Sequence, residues 1–252
     1  MRHCAFYKFS DRLHAAICLE TNKSGNYKCI RVMPLLRILE PEVMSGAGEA
    51  AAYDEMDFSA TDRLLAERAA ALARPSAPIL DLGCGNAKIP LAIAALLSPG
   101  TRIHAVEMSP AMLSVAARNR IQAGIGAARV QFIAGDAKRL PFRDGSAGLV
   151  ASNSLIHHIP EPRDVFREAA RVAGERGAIL IRDLVRPESQ AALDALVEMH
   201  AAGWSALQTR LFADSLHAAL TVEEVRRCLA DCGIRGVTVS QISDRHWSAE
   251  RG

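Results

Sequence analysis

The residues best suited to chemistry begin at Ile79-Leu-Asp-Leu-Gly-Cys-Gly-Asn-Ala-Lys88, an apolar run that ends in a glycine turn. Glycine lets a backbone approach a bound molecule closely, and open parallel sheets bind ligands at the carboxyl ends of their strands. Glu107 follows about 20 residues past that turn, where a carboxylate can accept both hydroxyls of a ribose. Asp136 comes next, in Ala134-Gly-Asp-Ala-Lys-Arg-Leu-Pro-Phe142, placed to receive an amino N–H from an adenine ring. Each acid alone reads equally well as a capped turn or a surface carboxylate. Three acids at three successive strand ends are far more specific. A dinucleotide fingerprint would want a third glycine at position 88, where Lys88 stands, and this counts against a nicotinamide cofactor. His157 and His158 lie after a further apolar run, where a histidine can accept a proton near neutral pH. Of the two, His158 is the favoured base. The plainer alternative has one histidine packing and the other orienting a loop.

Positioning these groups requires strands that alternate with helices. The patterning predicts short strands at Ile79–Gly83, Arg102–Met108, Arg129–Ala134, Gly148–Ser152 and Ala178–Leu184. Helices are predicted between them at Lys88–Leu97, Pro110–Ala123 and Pro162–Val172. That alternation implies an α/β fold with a doubly wound, mostly parallel sheet. Ahead of it, Ala47–Ala73 reads as one or two amphipathic helices with Ser59 or Thr61 as an N-cap, broken by Arg74–Pro78. Behind it, Glu188–Leu220 reads as a long, mainly helical insertion. Thr221 and Glu224 form a capping box for a helix through Cys232 that Gly233 ends, then Val237–Ile242 alternates like a strand and a short tail follows. The expected boundaries are 1–32, an N-terminal extension; 33–78, a helical segment; 79–187, the core; 188–220, a helical cap; and 221–252, a closing helix and strand.

Composition narrows the function classes. Half the residues are hydrophobic and 23% are charged, which suits a globular chain with a sizeable core. The longest run free of Asp, Glu, Lys and Arg, Gly145–Pro160, is too short and too polar for a bilayer. Lys8, Asp11 and Arg12 interrupt the start before an export signal can form, so the six cysteines read as reduced thiols in the cytoplasm. Cys228 and Cys232 stand one helical turn apart without two further ligands nearby in sequence, and no metal is expected. The net charge of +2 divides into +4 for residues 1–32 and −2 for the rest, so neither a nucleic-acid nor a membrane partner is expected. Three of the five lysines and three of the six cysteines also fall in 1–32. Met33, at this change of composition, is a candidate biological start; a weakly ordered N-terminal arm is the alternative.

In order, Leu-Asp-Leu-Gly-Cys-Gly, Val-Glu-Met-Ser-Pro-Ala-Met-Leu and Gly-Asp-Ala-x-x-Leu-Pro-Phe resemble the class I S-adenosylmethionine-dependent methyltransferases. Within that family the chain is most similar to the small-molecule branch that includes quinone-biosynthesis methyltransferases. Gly148-Leu-Val-Ala-Ser-Asn-Ser-Leu-Ile-His-His-Ile159, Arg167-Glu-x-x-Arg-Val172 and Gly177-Ala-Ile-Leu-Ile-Arg-Asp183 continue the resemblance, which spans roughly Ile79–Leu184. Ala173-Gly-Glu-Arg-Gly177 departs from the family's usual Pro-Gly-Gly turn, a change expected to stay within the loop.

The resemblance implies a Rossmann-like methyltransferase fold, S-adenosylmethionine as cofactor and a small-molecule substrate. It places Asp81, Gly83 and Gly85 at the methionine end, Glu107 on the ribose and Met108 beside the adenine. Asp136 and Ala137 address the adenine edge, Ser152 or Asn153 closes the sulfonium side, and Tyr53 belongs to a lid. Arg182, Asp183 and Arg186, with Arg245 and His246, are candidates for acceptor binding, and arginines there suit an anionic group. The apolar residues of the cap, among them Trp204, Leu211 and Phe212, suit core packing or an apolar or aromatic acceptor. A cofactor-binding regulatory protein without turnover and a nucleic-acid methyltransferase are the alternatives. The sequence carries no motif for a particular acceptor or oligomeric state.

Overall fold

The computed structural model describes residues 35–74 and 77–252, together with three earlier strands, β1 (His3–Ala5), β2 (Ile17–Thr21) and β3 (Tyr27–Arg31). Those three pair antiparallel in the order β1-β2-β3. Met33 and the rest of the N-terminal extension lie outside the described residues.

The main sheet has seven strands: β4 (Ile79–Leu82), β5 (Ile103–Glu107), β6 (Val130–Ala134), β7 (Leu149–Asn153), β8 (Ala178–Leu184), β9 (Thr238–Gln241) and β10 (His246–Arg251). Their order is β6-β5-β4-β7-β8-β10-β9, with β4 to β8 parallel and β10 antiparallel to both its neighbours. The chain winds outward in one direction through β5 and β6, then returns to β7 and β8. The turning point beside β4 is where open α/β sheets leave a crevice for a ligand.

Helices cover both faces. On one side α2 (Ser59–Leu72) and α3 (Lys88–Leu96) bury Leu65, Ala69, Ile89 and Ile93 against β4, β5 and β7. On the other, α5 (Pro162–Ala173) and α8 (Val222–Asp231) bury Val165, Phe166, Val225 and Leu229. Every residue of β4 and β8 is buried, the continuous pattern of strands covered on both faces. The remaining helices are α1 (Ala47–Asp54), α4 (Pro110–Gln122), α6 (Gln190–His200) and α7 (Ala206–Ala218). α6 and α7 form the cap around Leu193, Phe212 and Leu216, packed with Trp204.

The Thr221–Glu224 capping box is present with both halves made. Neither Ser59 nor Thr61 caps α2. Asp57 instead accepts the Ser59 N–H at 2.9 Å, and the Thr61 hydroxyl donates back to the Phe58 carbonyl. The expected tail is a strand. Arg245 precedes β10, while His246 and Trp247 open it between β8 and β9. Trp247 is fully buried, and His246, Ser248 and Ala249 are buried beside it, so no in–out alternation marks this strand. Among the described residues, no helix is long and apolar enough to cross a membrane.

Candidate active site

β4 runs into a turn that only a particular backbone can make. Gly83 and Gly85 hold φ of +67° and +53°. A Cβ at Gly83 would stand 2.7 Å from the Leu155 side chain, so both the backbone conformation and this close packing call for glycine there. Ala87, the N-cap of α3, and Ser154, just after β7, also take left-handed backbone at +64° and +55°. Such strain gathers at functional sites.

The turn lines a cleft enclosing about 1050 Å³, its mouth included. Glu107 at the end of β5 is fixed at its rim. Its carboxylate accepts the Gly85 N–H at 2.9 Å and the Ser109 N–H at 2.7 Å. Asp81 lies at the floor, only 1% exposed, and its Oδ2 has no hydrogen-bond partner. Burial, then the nearby Glu107 charge, push its carboxyl up to about 8. A buried carboxyl oxygen without a donor leaves a hydrogen-bonding position open to a bound molecule. Met108, Asp136 and Ala137 line the far end of the cleft, and Asn153, Tyr53 and His158 the near end. Asp136 is itself held, accepting the Lys138 N–H at 2.8 Å with the Lys138 ammonium 3.1 Å away.

The roof comes from the segment before the sheet. Asp54, the last residue of α1, accepts Asn86 Nδ2 at 2.8 Å and Asn119 Nδ2 at 2.9 Å. Lys88 donates to the Asp54 carbonyl at 2.5 Å and the Met56 carbonyl at 3.3 Å. The lysine that replaces a third glycine therefore ties the roof to the floor. Glu42 reaches Lys138 and, with Met44, closes the cleft from above. Arg37 holds this segment down, donating to the carbonyls of Ala218 at 2.7 Å and Ile159 at 2.9 Å.

A second chamber, about 690 Å³ with its open mouth included, shares Met44, Tyr53, Phe58, Asp62, Asn153, Ser154 and His158 with the cleft. Its apolar wall includes Met56, Leu184, Leu211 and Phe212. Behind it stands an aromatic series: Tyr53 and Phe58 lie 5.9 Å apart, Phe58 meets Trp204 edge-on at 5.8 Å, and Trp204 meets Phe212 at 5.6 Å. His157, Arg182, Arg245 and His246 also line it.

Three of the expected contacts are engaged elsewhere. Ser152 is fully buried and donates to the Leu82 carbonyl at 2.8 Å, so Asn153 alone of that pair faces the cleft. Arg186 binds the carbonyls of Leu35 and Ala219 and the Glu224 carboxylate, away from both spaces. Asp183 holds up the histidine turn. It accepts the Ile156 N–H at 2.5 Å, the His157 N–H at 3.2 Å, the Leu184 N–H at 2.6 Å and His157 Nδ1 at 2.5 Å.

Arg182 and Arg245 line the chamber but are already paired. Arg182 donates to Asn153 Oδ1 at 2.8 Å and the Thr61 carbonyl at 2.5 Å, and lies 3.6 Å from Asp62. Burial pushes the Asp62 carboxyl up to about 6, against the pull of Arg182. Arg245 meets the His200 ring at 2.8 Å and Asp244 at 3.4 Å.

The two histidines differ sharply. Burial and the neighbouring His157 push His158 down to about 3, which keeps it neutral and makes it a poor base. Burial also opposes a charge on His157, but Asp183 and Glu40 outweigh it and hold its pKa above the ordinary value. Sequence reasoning missed Glu40, Glu42, Met44, Phe58 and Asp62, all in the irregular or helical segment ahead of the sheet. Only the family resemblance of the segment around Tyr53 pointed there.

Residues 73–232 match the family model described as a methyltransferase domain. The 27-O-demethylrifamycin SV methyltransferase of Amycolatopsis mediterranei is 26% identical over 195 residues, covering 77% of this chain and 66% of that protein. A ubiquinone biosynthesis O-methyltransferase of Xanthomonas campestris is 29% identical over 126 residues, 50% of each chain. The chain thus spans less than two thirds of these relatives' own lengths. A SAM-dependent methyltransferase from Aquifex aeolicus shares the fold, with a TM-score of 0.58 at 14% identity over 80% of this chain and 96% of that one. The match of a family model to more than half of the residues, on this sheet order, means that the chain belongs to the class I S-adenosylmethionine-dependent methyltransferases.

Proposed function

We propose that the protein transfers the methyl group of S-adenosylmethionine to a small apolar or aromatic acceptor held in the second chamber. The observation that carries this reading is the shared wall: an aromatic-lined space opens beside the cofactor cleft across Tyr53, Phe58, Asn153 and His158. The paired state of Arg182, Arg245 and Arg186 favours such an acceptor over the anionic one that their charges suggest. The relatives named above act on small molecules by their names, which agrees with it. Free thiols at Cys84, Cys228 and Cys232 suit a cytoplasmic setting.

The residues present fit the cofactor. Asp81, with its unpartnered oxygen, would meet the ammonium of the methionine end, and Gly83 and Gly85 line the cleft beside it. Glu107 would take the ribose hydroxyls, and Met108, Asp136 and Ala137 the adenine. When bound, the sulfonium supplies an already activated methyl group. The chain's own contribution is then to align the acceptor with it and to exclude water, by the Tyr53–Phe58 roof and the cap. His157 and His158 form the chamber wall that meets the acceptor's polar atom, and Asp183 positions His157 there.

Thermal unfolding with S-adenosylmethionine, S-adenosylhomocysteine and NAD tests the cofactor. At about 100 times its dissociation constant a ligand adds about 2.7 kcal/mol, roughly 5–10 °C at this size. The first two should stabilise the native protein and not Glu107→Ala, while NAD should do nothing. A shift with NAD alone overturns the reading. Mass-detected methylation across aromatic, apolar and anionic small molecules then tests the acceptor. Transfer confined to anionic, non-aromatic compounds or to RNA would overturn that part.

A further inference from the structure

The chamber wall contains a group of atoms that methyl transfer by proximity does not require. Glu40 Oε1 lies 3.3 Å from His157 Nε2 and 3.3 Å from His158 Nδ1, and the possible ligand atoms of the three residues all fall within 4.8 Å of one another. His157 points Nδ1 at the buried Asp183 carboxylate, 2.5 Å away, so Nε2 is the ring nitrogen that faces Glu40. His158 Nδ1 is buried without a hydrogen-bond partner and faces the same carboxylate oxygen. One carboxylate oxygen and two nitrogens of different rings are thus gathered at one place in the wall, within reach of a single ion.

We propose that Glu40, His157 and His158 bind a divalent first-row transition metal ion at the wall of the acceptor chamber. Two ligand atoms about 2.0–2.1 Å from one tetrahedral ion stand about 3.3 Å apart, which is the spacing of both Glu40 pairs. Two imidazoles and one carboxylate, with the remaining positions open, are a recurrent ligand set for such ions. Asp183 supplies the outer carboxylate that commonly orients a metal-bound histidine. Ser215 steadies Glu40, its hydroxyl donating at 3.2 Å. All three residues line the chamber, so a further ligand of the ion would be an oxygen of the acceptor. That last assignment rests on the acceptor-chamber reading, whereas binding of the ion does not. It also departs from the sequence expectation of no metal. That expectation considered only the cysteine pair, and Glu40 lies 117 residues from His157 in the chain.

Equilibrium dialysis of the full-length protein, stripped with chelator and reloaded with Co²⁺ or Zn²⁺, tests this with metal analysis and the visible spectrum of bound Co²⁺. One ion per chain is expected, with Co²⁺ bands typical of low coordination. Glu40→Gln and His158→Gln should each weaken binding at least 10-fold, and Glu40→Gln, which lies outside the cofactor cleft, should retain the stabilisation by S-adenosylhomocysteine, which shows that the fold and that cleft survive. Absence of bound metal in the native protein, or equal affinity in both variants, overturns the proposal. Metal binding without any cofactor-induced stabilisation would instead uphold the ion and count against the proposed function.

Discussion

Asp183→Ala is expected to lower the stability of the protein by about 3–5 kcal/mol, the usual cost of removing one partner from a buried charged pair. The carboxylate is 1% exposed and receives the N–H groups of Ile156, His157 and Leu184 as well as His157 Nδ1. Alanine leaves all of these donors buried and unpaired, and each such group costs about 1–3 kcal/mol if water does not reach it. At this chain length the thermal midpoint should fall by roughly 10 °C. Burial alone would raise the Asp183 pKa, but the facing His157 and its hydrogen bonds hold it below the ordinary carboxylate value. The stabilisation is therefore present above the unfolded pKa of about 3.9 and is lost as pH falls through the lower folded value. Urea unfolding of native and variant at pH 7 measures the difference; a loss under about 1 kcal/mol would refute it. The loss of methyl transfer should exceed the loss of fold. At temperatures where the variant remains folded, its turnover should still drop, since the turn that carries His157 and His158 loses its anchor.

Asp81→Asn should move stability and binding in opposite directions. The native carboxyl is pushed from 3.8 up to about 8 by burial and by Glu107, so folding takes up a proton between those values. For a raised pKa, stability is fully present below the unfolded value and declines as pH rises, levelling off above the folded one. The decline runs from about pH 4 to about pH 8. Asparagine carries no such charge. The variant should match the native protein near pH 4 and melt several degrees higher at pH 8. Its affinity for S-adenosylmethionine should fall roughly 10- to 150-fold, the equivalent of a charged hydrogen bond of about 1.5–3 kcal/mol. Melting curves across pH and calorimetric titration supply both quantities. A variant that is less stable at pH 8, or that binds the cofactor as tightly as the native protein, would show that Asp81 plays some other part.

The parallel half of the fold was legible because its signals are local. Ile79–Leu82 is apolar but for Asp81, Gly83 and Gly85 follow it in left-handed backbone, Glu107 closes the next strand and Asp136 follows the one after. The resemblance rested on these same residues. β10 was not legible, because a strand buried on both faces with His246, Ser248 and Glu250 in it shows neither alternation nor a hydrophobic run. The roof was obscure for another reason. Glu42 and Glu40 sit in a stretch without helix or strand, and their partners Lys138 and His158 are distant in the chain. Charge type misled in the acceptor region. Arg186 and Asp183 look like ligand-binding groups in the sequence, whereas burial turns both toward backbone groups that have no other partner.

The two spaces share a wall, yet each also draws on parts of the chain that the other does not touch, and this shapes what inheritance can change. The strand ends and glycine turn of the cofactor cleft belong to β4, β5 and β6, while Glu40, Met56, Leu211 and Phe212 line the chamber alone and belong to the roof and cap. A lineage can therefore exchange the compound it modifies by altering those latter positions, with the donor's seat left intact. Kinship judged on the donor's seat alone would not register the exchange.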